Sequence, residues 1–133
     1  MESANNVKAS KTKIVLDTNI LLAIERFKID IFLEAKKMMG NVEFWIPQQV
    51  VEELEMLEKR GLKLKKAVRI AKQLIDKNNV KVISVDADNA DKALLELSKN
   101  AIVATNDKEL KDSVKQINGQ VLFLRQKKFL ELN

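Results

Sequence analysis

Short runs of β-branched and apolar residues alternate along this chain with longer segments in which apolar residues recur at helical spacing. The runs at 13–16, 42–46, 80–85, 101–105 and 120–124 have the composition of strands, and the first resembles a buried parallel strand. Because helical stretches separate the runs, crossover connections between parallel strands are predicted. We therefore expect a three-layer α/β/α fold, Rossmann-like in layout, with a central parallel sheet of about five strands.

The segments between and beyond the strands define the expected domain. Helices are predicted at 20–27, 30–40, 47–61, 63–77, 89–99 and 107–117. A closing helix or tail is expected at 125–132. Residues 1–11 are polar and are expected to form a disordered lead-in, which leaves 12–133 as a single domain.

Composition restricts the chemistry that the chain can perform. It contains no histidine, cysteine or tyrosine, so imidazole bases, thiolate metal sites and disulfides are excluded. It also has no apolar run long enough for a membrane span or a signal peptide. We therefore expect a cytoplasmic protein without membrane contact, and any catalysis must depend on carboxylates and other oxygen and nitrogen groups.

Four acidic residues occupy informative positions. Asp17 directly follows the first predicted strand, and Asp107 comes shortly after the fourth. Ligands in open α/β sheets bind beyond the carboxyl ends of the strands, so these two side chains are candidates to share a crevice. Each also precedes a helix, where aspartate is common as an N-cap. Glu53 and Asp91 lie beside the apolar faces of their helices, where they could instead pair with a cation or stabilise a helix dipole.

Four carboxylates gathered in one crevice would repel one another. At about 5 Å and an effective dielectric of about 20, each pair costs roughly 3 kcal/mol. A bound cation would remove that cost, and a ligand set made only of oxygen selects Mg²⁺ or Mn²⁺ over zinc. The cluster is thus predicted to be a divalent metal site, if it forms.

Four segments together resemble the PIN domain family, over roughly residues 13–124. They are Ile14-Val15-Leu16-Asp17-Thr18-Asn19, Ile46-Pro47-Gln48-Gln49-Val50-Val51-Glu52-Glu53-Leu54, Asn89-Ala90-Asp91-Lys92-Ala93-Leu94 and Ile102-Val103-Ala104-Thr105-Asn106-Asp107. The runs 105–111 and 122–128 look closest to archaeal members of the ribosomal-RNA-processing type, and VapC-type toxins are the other branch that the chain resembles. In the former branch a second acid often follows the third site, where this chain has Lys92.

The resemblance implies an endoribonuclease that hydrolyses single-stranded RNA with Mg²⁺ or Mn²⁺. It implies metal binding and catalysis by Asp17, Asp91 and Asp107, with Glu53 as a further ligand or water orienter. Supporting polar roles would fall to Thr18, Asn19, Thr105 and Asn106. A homodimer, an antitoxin or a ribosome-assembly partner are further expectations from the family.

The charge of the chain agrees with a polyanionic partner but does not require one. The net charge is +5, and the stretch 59–77 contains eight basic residues and one acidic residue. Within it, Lys63, Lys65, Lys66 and Arg69 are candidates to bind RNA phosphates. A solvated helix face kept for solubility explains the same pattern about as well.

Two other functions fit parts of the same pattern. A non-catalytic PIN-like module that binds RNA or protein during ribosome assembly would keep the fold without turnover. A plain α/β interaction domain would use the four acids only as helix caps. In that last case, millimolar Mn²⁺ would not raise the melting temperature.

Overall fold

A computed structural model of the chain describes residues 11–133. The predicted lead-in therefore lies outside the described residues, apart from Lys11. Within the described part the strands are β1 (Thr12–Leu16), β2 (Val42–Pro47), β3 (Lys81–Ile83), β4 (Ile102–Ala104), β5 (Val121–Arg125) and β6 (Phe129–Leu132). The helices are α1 (Thr18–Phe27), α2 (Ile31–Met39), α3 (Gln48–Leu57), α4 (Leu62–Lys77), α5 (Ala90–Leu97) and α6 (Lys108–Gln116).

The strands form one sheet in the order β3-β2-β1-β4-β5-β6. The first five in this order are parallel, and β6 pairs antiparallel with β5. The predicted α/β class with a mostly parallel central sheet is confirmed. Ile14, Val15 and Leu16 of β1 are almost fully buried, as expected for the central strand of a sheet covered by helices.

The expected closing helix or tail at 125–132 is wrong, because this segment completes a β-hairpin. Gln126 and Lys127 adopt φ values of 54° and 61°, and the amide of Lys128 donates to the Arg125 carbonyl at 3.0 Å. Two consecutive left-handed residues form the tight turn that matches strand twist. Glycine or asparagine usually marks such a turn, and neither is present here.

Local signals place most helix boundaries close to their predicted positions. Asp30 caps α2 by accepting the Leu33 amide at 3.1 Å, and Gly40 ends that helix with a φ of 78°. Pro47 precedes α3 as its N-cap and ends β2. The helix predicted at 47–61 stops at Leu57, and Gly61 with a φ of 120° begins the next one. The chain therefore bends between α3 and α4.

Strand order places a crevice beside β1. The chain runs from β1 outward to β2 and β3, then crosses back to β4 on the other side of β1. This reversal of strand order is where open α/β sheets bind ligands. None of the helices described between residues 11 and 133 has the length and apolar character needed to cross a membrane.

Candidate active site

The carboxyl ends of β1 and β4 hold the first and fourth acids. Leu16 pairs with Ala104 in register, and the Asp17 amide donates to the Ala104 carbonyl at 3.0 Å. Asp17 caps α1, and Asp107 caps α6 by accepting the amides of the second and third residues beyond it. The capping interpretation is therefore correct for both residues, and both side chains also face the same cleft.

The second and third acids reach the cleft from two further helices. Glu53 lies on α3, which follows β2 directly, and Asp91 lies in the first turn of α5. Gln49 of α3 donates from its amide nitrogen to the carbonyls of Val85 at 2.8 Å and Ala87 at 2.9 Å. These bonds fasten the loop that leads into α5, so they fix the distance between the helices that carry the two acids.

The structure brings all four acids to one cleft of about 500 Å³ at the carboxyl end of the sheet. Two of the predicted supporting residues, Thr18 and Asn19, also line it. The remaining wall is formed by Leu22, Met56, Leu57 and Arg60.

A hydrogen-bond network holds the Asp17 carboxylate in place. Oδ1 accepts the Thr18 amide at 2.7 Å. Oδ2 accepts the Thr105 hydroxyl at 2.7 Å and the Asn19 side-chain amide at 3.1 Å. The Thr105 oxygen in turn accepts the Asp107 amide at 3.0 Å, which links the two strand ends through one fully buried hydroxyl.

The other supporting residues connect the neighbouring segments. The Thr18 hydroxyl donates to Glu53 Oε1 and so ties α1 to α3. The Asn106 side chain makes two hydrogen bonds to the backbone of Leu124, at 2.8 and 3.2 Å. The backbone amide of Asn106 donates to the side-chain oxygen of Asn19 at 3.1 Å. Together, the four predicted supporting residues hold Asp17, Glu53 and the ends of β1 and β4 in place.

The electrostatics of the cleft oppose ionisation of two of its acids. Burial raises the pKa of Asp17 from 3.8 to about 6, although hydrogen bonds from Thr105 and Thr18 oppose the rise. The negative charges of Asp91 and Glu53 raise this pKa further. The pKa of Asp91 is also raised, first by burial and then by the charges of neighbouring carboxylates.

The donor chemistry of the cleft fits a hard divalent cation. Four carboxylates line it, and among residues 11–133 no lysine or arginine lies within ion-pair distance of any of them. Uncompensated carboxylates with raised pKa values are stabilised by a cation. As the side chains stand, no three acids in the described part of the chain lie close enough to ligate one ion. Binding would require the carboxylates to turn toward the ion.

The predicted RNA-binding residues do not line this cleft. Lys63, Lys65, Lys66 and Arg69 are exposed on α4, and Lys66 lies 3.7 Å from the Glu25 carboxylate. The basic residue that does line the cleft, Arg60, belongs to the basic stretch 59–77 but was not among the four residues named as candidates to bind RNA. It lies three residues past the end of α3, in the turn before α4, so helical spacing in the sequence gave no signal that it lines the cleft.

A family model described as "PIN like domain" matches residues 14–127, which span all four acids and most of the chain. The chain belongs to the PIN-like domain family. The fold that the four sequence segments resemble is therefore the fold that the chain adopts, and the resemblance to this family is confirmed.

Two relatives cover nearly the whole of this PIN-like chain. Ribonuclease VapC4 of Methanocaldococcus jannaschii is 38% identical over 125 residues, which is 90% of this chain and 95% of the relative. Ribonuclease VapC9 of Archaeoglobus fulgidus is 36% identical over 124 residues, with 89% and 88% covered. Both relatives are named as ribonucleases.

Solved structures agree on the fold. The PIN domain endonuclease Utp24 superposes with a TM-score of 0.71 at 24% identity and covers 90% of each chain. A domain of a functionally unknown protein from Methanocaldococcus jannaschii superposes with a TM-score of 0.61 at 20% identity, covering 86% of this chain and 91% of that one. At these identities the likeness concerns the fold alone.

Proposed function

We propose that this protein is a metal-dependent endoribonuclease that hydrolyses phosphodiester bonds of single-stranded RNA. The observation that carries the proposal is the convergence of four carboxylates from four elements on one cleft, with no cationic partner for any of them in the described chain. The two relatives named as ribonucleases support RNA as the substrate.

In this proposal Asp17, Asp91 and Asp107 hold Mg²⁺ or Mn²⁺, and Glu53 is a further ligand or orients the attacking water. The ion supplies an activated water and offsets the negative charge that develops on the phosphate. Such an ion matters here because the chain has no histidine to act as a general base.

The chain's own residues prepare the carboxylates for this role. Thr105 and Asn19 donate to one oxygen of Asp17, so the carboxylate has a fixed orientation before any ligand arrives. The Thr18 hydroxyl restrains Glu53 in the same way. These bonds restrain Asp17 and Glu53 individually, and the remaining movement needed is the turn that brings the acids together around one ion.

We extend the proposal to the biological role of the nuclease. The names of the two relatives favour the VapC-type branch over an rRNA-processing role. An antitoxin partner and a homodimer would follow from that branch.

Cleavage of a labelled single-stranded RNA tests the proposal directly. Wild type is compared with Asp107→Asn, which keeps a capping side chain on α6, in Mn²⁺, in Mg²⁺ and in chelator. The matched control is Asp112→Asn, an exposed aspartate on the same helix that does not line the cleft. We expect metal-dependent cutting by wild type and by the control, and none by Asp107→Asn. Undiminished cutting in chelator or by Asp107→Asn would contradict the proposal.

One observation favours a non-catalytic RNA- or protein-binding module as the second candidate. The acids between residues 11 and 133 are not already close enough to hold an ion. If wild type binds single-stranded RNA but cuts none with either metal, this second function replaces the first.

A further inference from the structure

The lining of the cleft combines two kinds of chemistry. Besides the four acids it includes three apolar side chains and one cationic one, from Leu22, Met56, Leu57 and Arg60. Met56 leaves 52% of its surface exposed. Leu22 and Leu57 are partly buried and pack against the hydrophobic core, so Met56 is the apolar side chain of the lining that is left largely open to a ligand.

Arg60 is held at the bend between α3 and α4. Its amide donates to the Leu57 carbonyl at 3.0 Å, and its guanidinium lies 3.5 Å from the Met56 sulfur. It makes no ion pair with any described carboxylate, although the cleft contains four. Its remaining planar, permanently charged donors are therefore available to a ligand, and phosphate is one of the anions that a guanidinium binds through two hydrogen bonds.

The other hydrogen-bond donors of the cleft are already in use. The Thr18 hydroxyl donates to Glu53, and its amide donates to Asp17. The Asn19 side-chain amide donates to Asp17. A ligand that enters the cleft therefore finds uncommitted side-chain donors only on Arg60, among the described residues that line it.

From this arrangement we infer a subsite for one unpaired nucleotide, formed by Arg60 together with the wall of Leu22, Met56 and Leu57. Arg60 binds the phosphate next to the scissile one, and the apolar side chains contact the face of the base. The inference rests on the proposed function and names a further binding element of the same site. The cleft volume of about 500 Å³ lies within the usual range for small-ligand sites, so it admits one nucleotide.

This subsite would favour single-stranded over double-stranded RNA and would not distinguish one base from another. Base faces are stacked inside a duplex, so contact with an apolar wall requires an unpaired base. Leucine and methionine carry no donor or strong acceptor to read base edges, so the wall accepts any base.

Binding is measured without turnover, in the Asp107→Asn background with Mg²⁺, by fluorescence anisotropy of a labelled single-stranded RNA at several salt concentrations. We expect Arg60→Ala to weaken binding about tenfold and to lower the salt slope by about 0.7. Arg60→Lys should keep the slope and recover part of the affinity. Met56→Ala should weaken binding of single strands, leave the slope unchanged and have no effect on duplex RNA.

Two controls remove the same groups elsewhere on the surface. Lys37→Ala deletes one exposed positive charge on α2, and Met38→Ala truncates an exposed methionine beside it. Each should change the affinity less than twofold, and melting temperatures report whether every variant is folded.

The inference is overturned if Arg60→Ala binds as tightly as its parent or loses no more affinity than Lys37→Ala. In that event metal-dependent cleavage by wild type would leave the proposed function standing. If wild type neither binds nor cuts single-stranded RNA, the proposed function and the subsite are both wrong.

Discussion

Replacing Asp17 by asparagine should make the metal-free protein more stable at neutral pH while removing a carboxylate from the site. Asp17 is only 5% exposed, and its pKa in the folded protein is about 6, compared with an ordinary value of 3.8. Between these values the folded state binds more protons than the unfolded state. Stability therefore falls as the pH rises through this window, and above it the cost is fully present.

The size of the effect follows from the shift and from the hydrogen bonds. The pKa of Asp17 differs by about two units between the folded and the unfolded state, and at 1.36 kcal/mol per unit this corresponds to roughly 3 kcal/mol of lost stability. Asparagine removes this cost but presents an NH₂ group where Asp17 accepts from the Thr18 amide or from Thr105 and Asn19. One lost hydrogen bond costs about 1 kcal/mol, which leaves a net gain of roughly 2 kcal/mol above about pH 7.

Urea unfolding in chelator, at pH values from about 4 to about 8, measures the difference between the two proteins. The gain should shrink on acidification, because Asp17 becomes neutral in the fold, and asparagine should be the less stable form near pH 4. Subtracting the two curves removes the titration of the carboxylates that do not interact with Asp17; Asp91 and Glu53 do interact with it. Asp112→Asn, on the exposed face of α6, is the matched control and should change the free energy of unfolding little. A loss of stability that is equal at pH 5 and pH 8 would refute the reasoning.

Three further substitutions test the packing and the hydrogen bonds around the cleft. Thr105→Val should cost about 1–3 kcal/mol in urea unfolding and further raise the pKa of Asp17, because a buried hydroxyl that donates to this carboxylate is lost. Asn106→Ala should cost about 1–3 kcal/mol by the same assay, since two hydrogen bonds to the Leu124 backbone disappear. Leu94→Ala, on the buried face of α5, should lower the free energy of unfolding by about 2–5 kcal/mol and lower the melting temperature.

Each of these three substitutions has a control, which is either a conservative replacement at the same position or the same replacement at an exposed position. Thr105→Ser keeps the hydroxyl and should restore most of the stability that valine removes. Asn100→Ala changes an exposed asparagine and should have little effect. Leu94→Met conserves volume and should cost less than about 1.5 kcal/mol. If the serine variant is as unstable as the valine variant, the hydroxyl is not the group that matters.

The alternation of apolar runs and helical segments was sufficient to predict the parallel part of the sheet. It could not predict β6, because Gln126 and Lys127 occupy left-handed conformations without the glycine that usually marks such a turn. Tertiary pairing with β5 stabilises this hairpin, and no local pattern in the sequence records that pairing.

Placing four acids in one cleft also depended on strand order, which the sequence implies only through crossover connections. The sequence did not show that Arg60 faces the acids. Its position depends on where α3 stops, and the helical pattern continues past Leu57 in the sequence. Boundary residues such as this one are the hardest to place from periodicity alone.

Asp17 and Asp107 are N-caps that also line the cleft, so capping and a site role could not be separated from the sequence. Asp107 accepts the Glu109 and Leu110 amides with Oδ1, so its other oxygen is not used by the cap. Asp17 likewise satisfies one backbone amide with Oδ1, while Thr105 and Asn19 orient the other oxygen. Capping holds each carboxylate at the end of a strand and at the edge of the cleft, although the acids would still have to turn before three of them could bind one ion. The caps are therefore the structural means by which this fold directs these two acids toward the cleft.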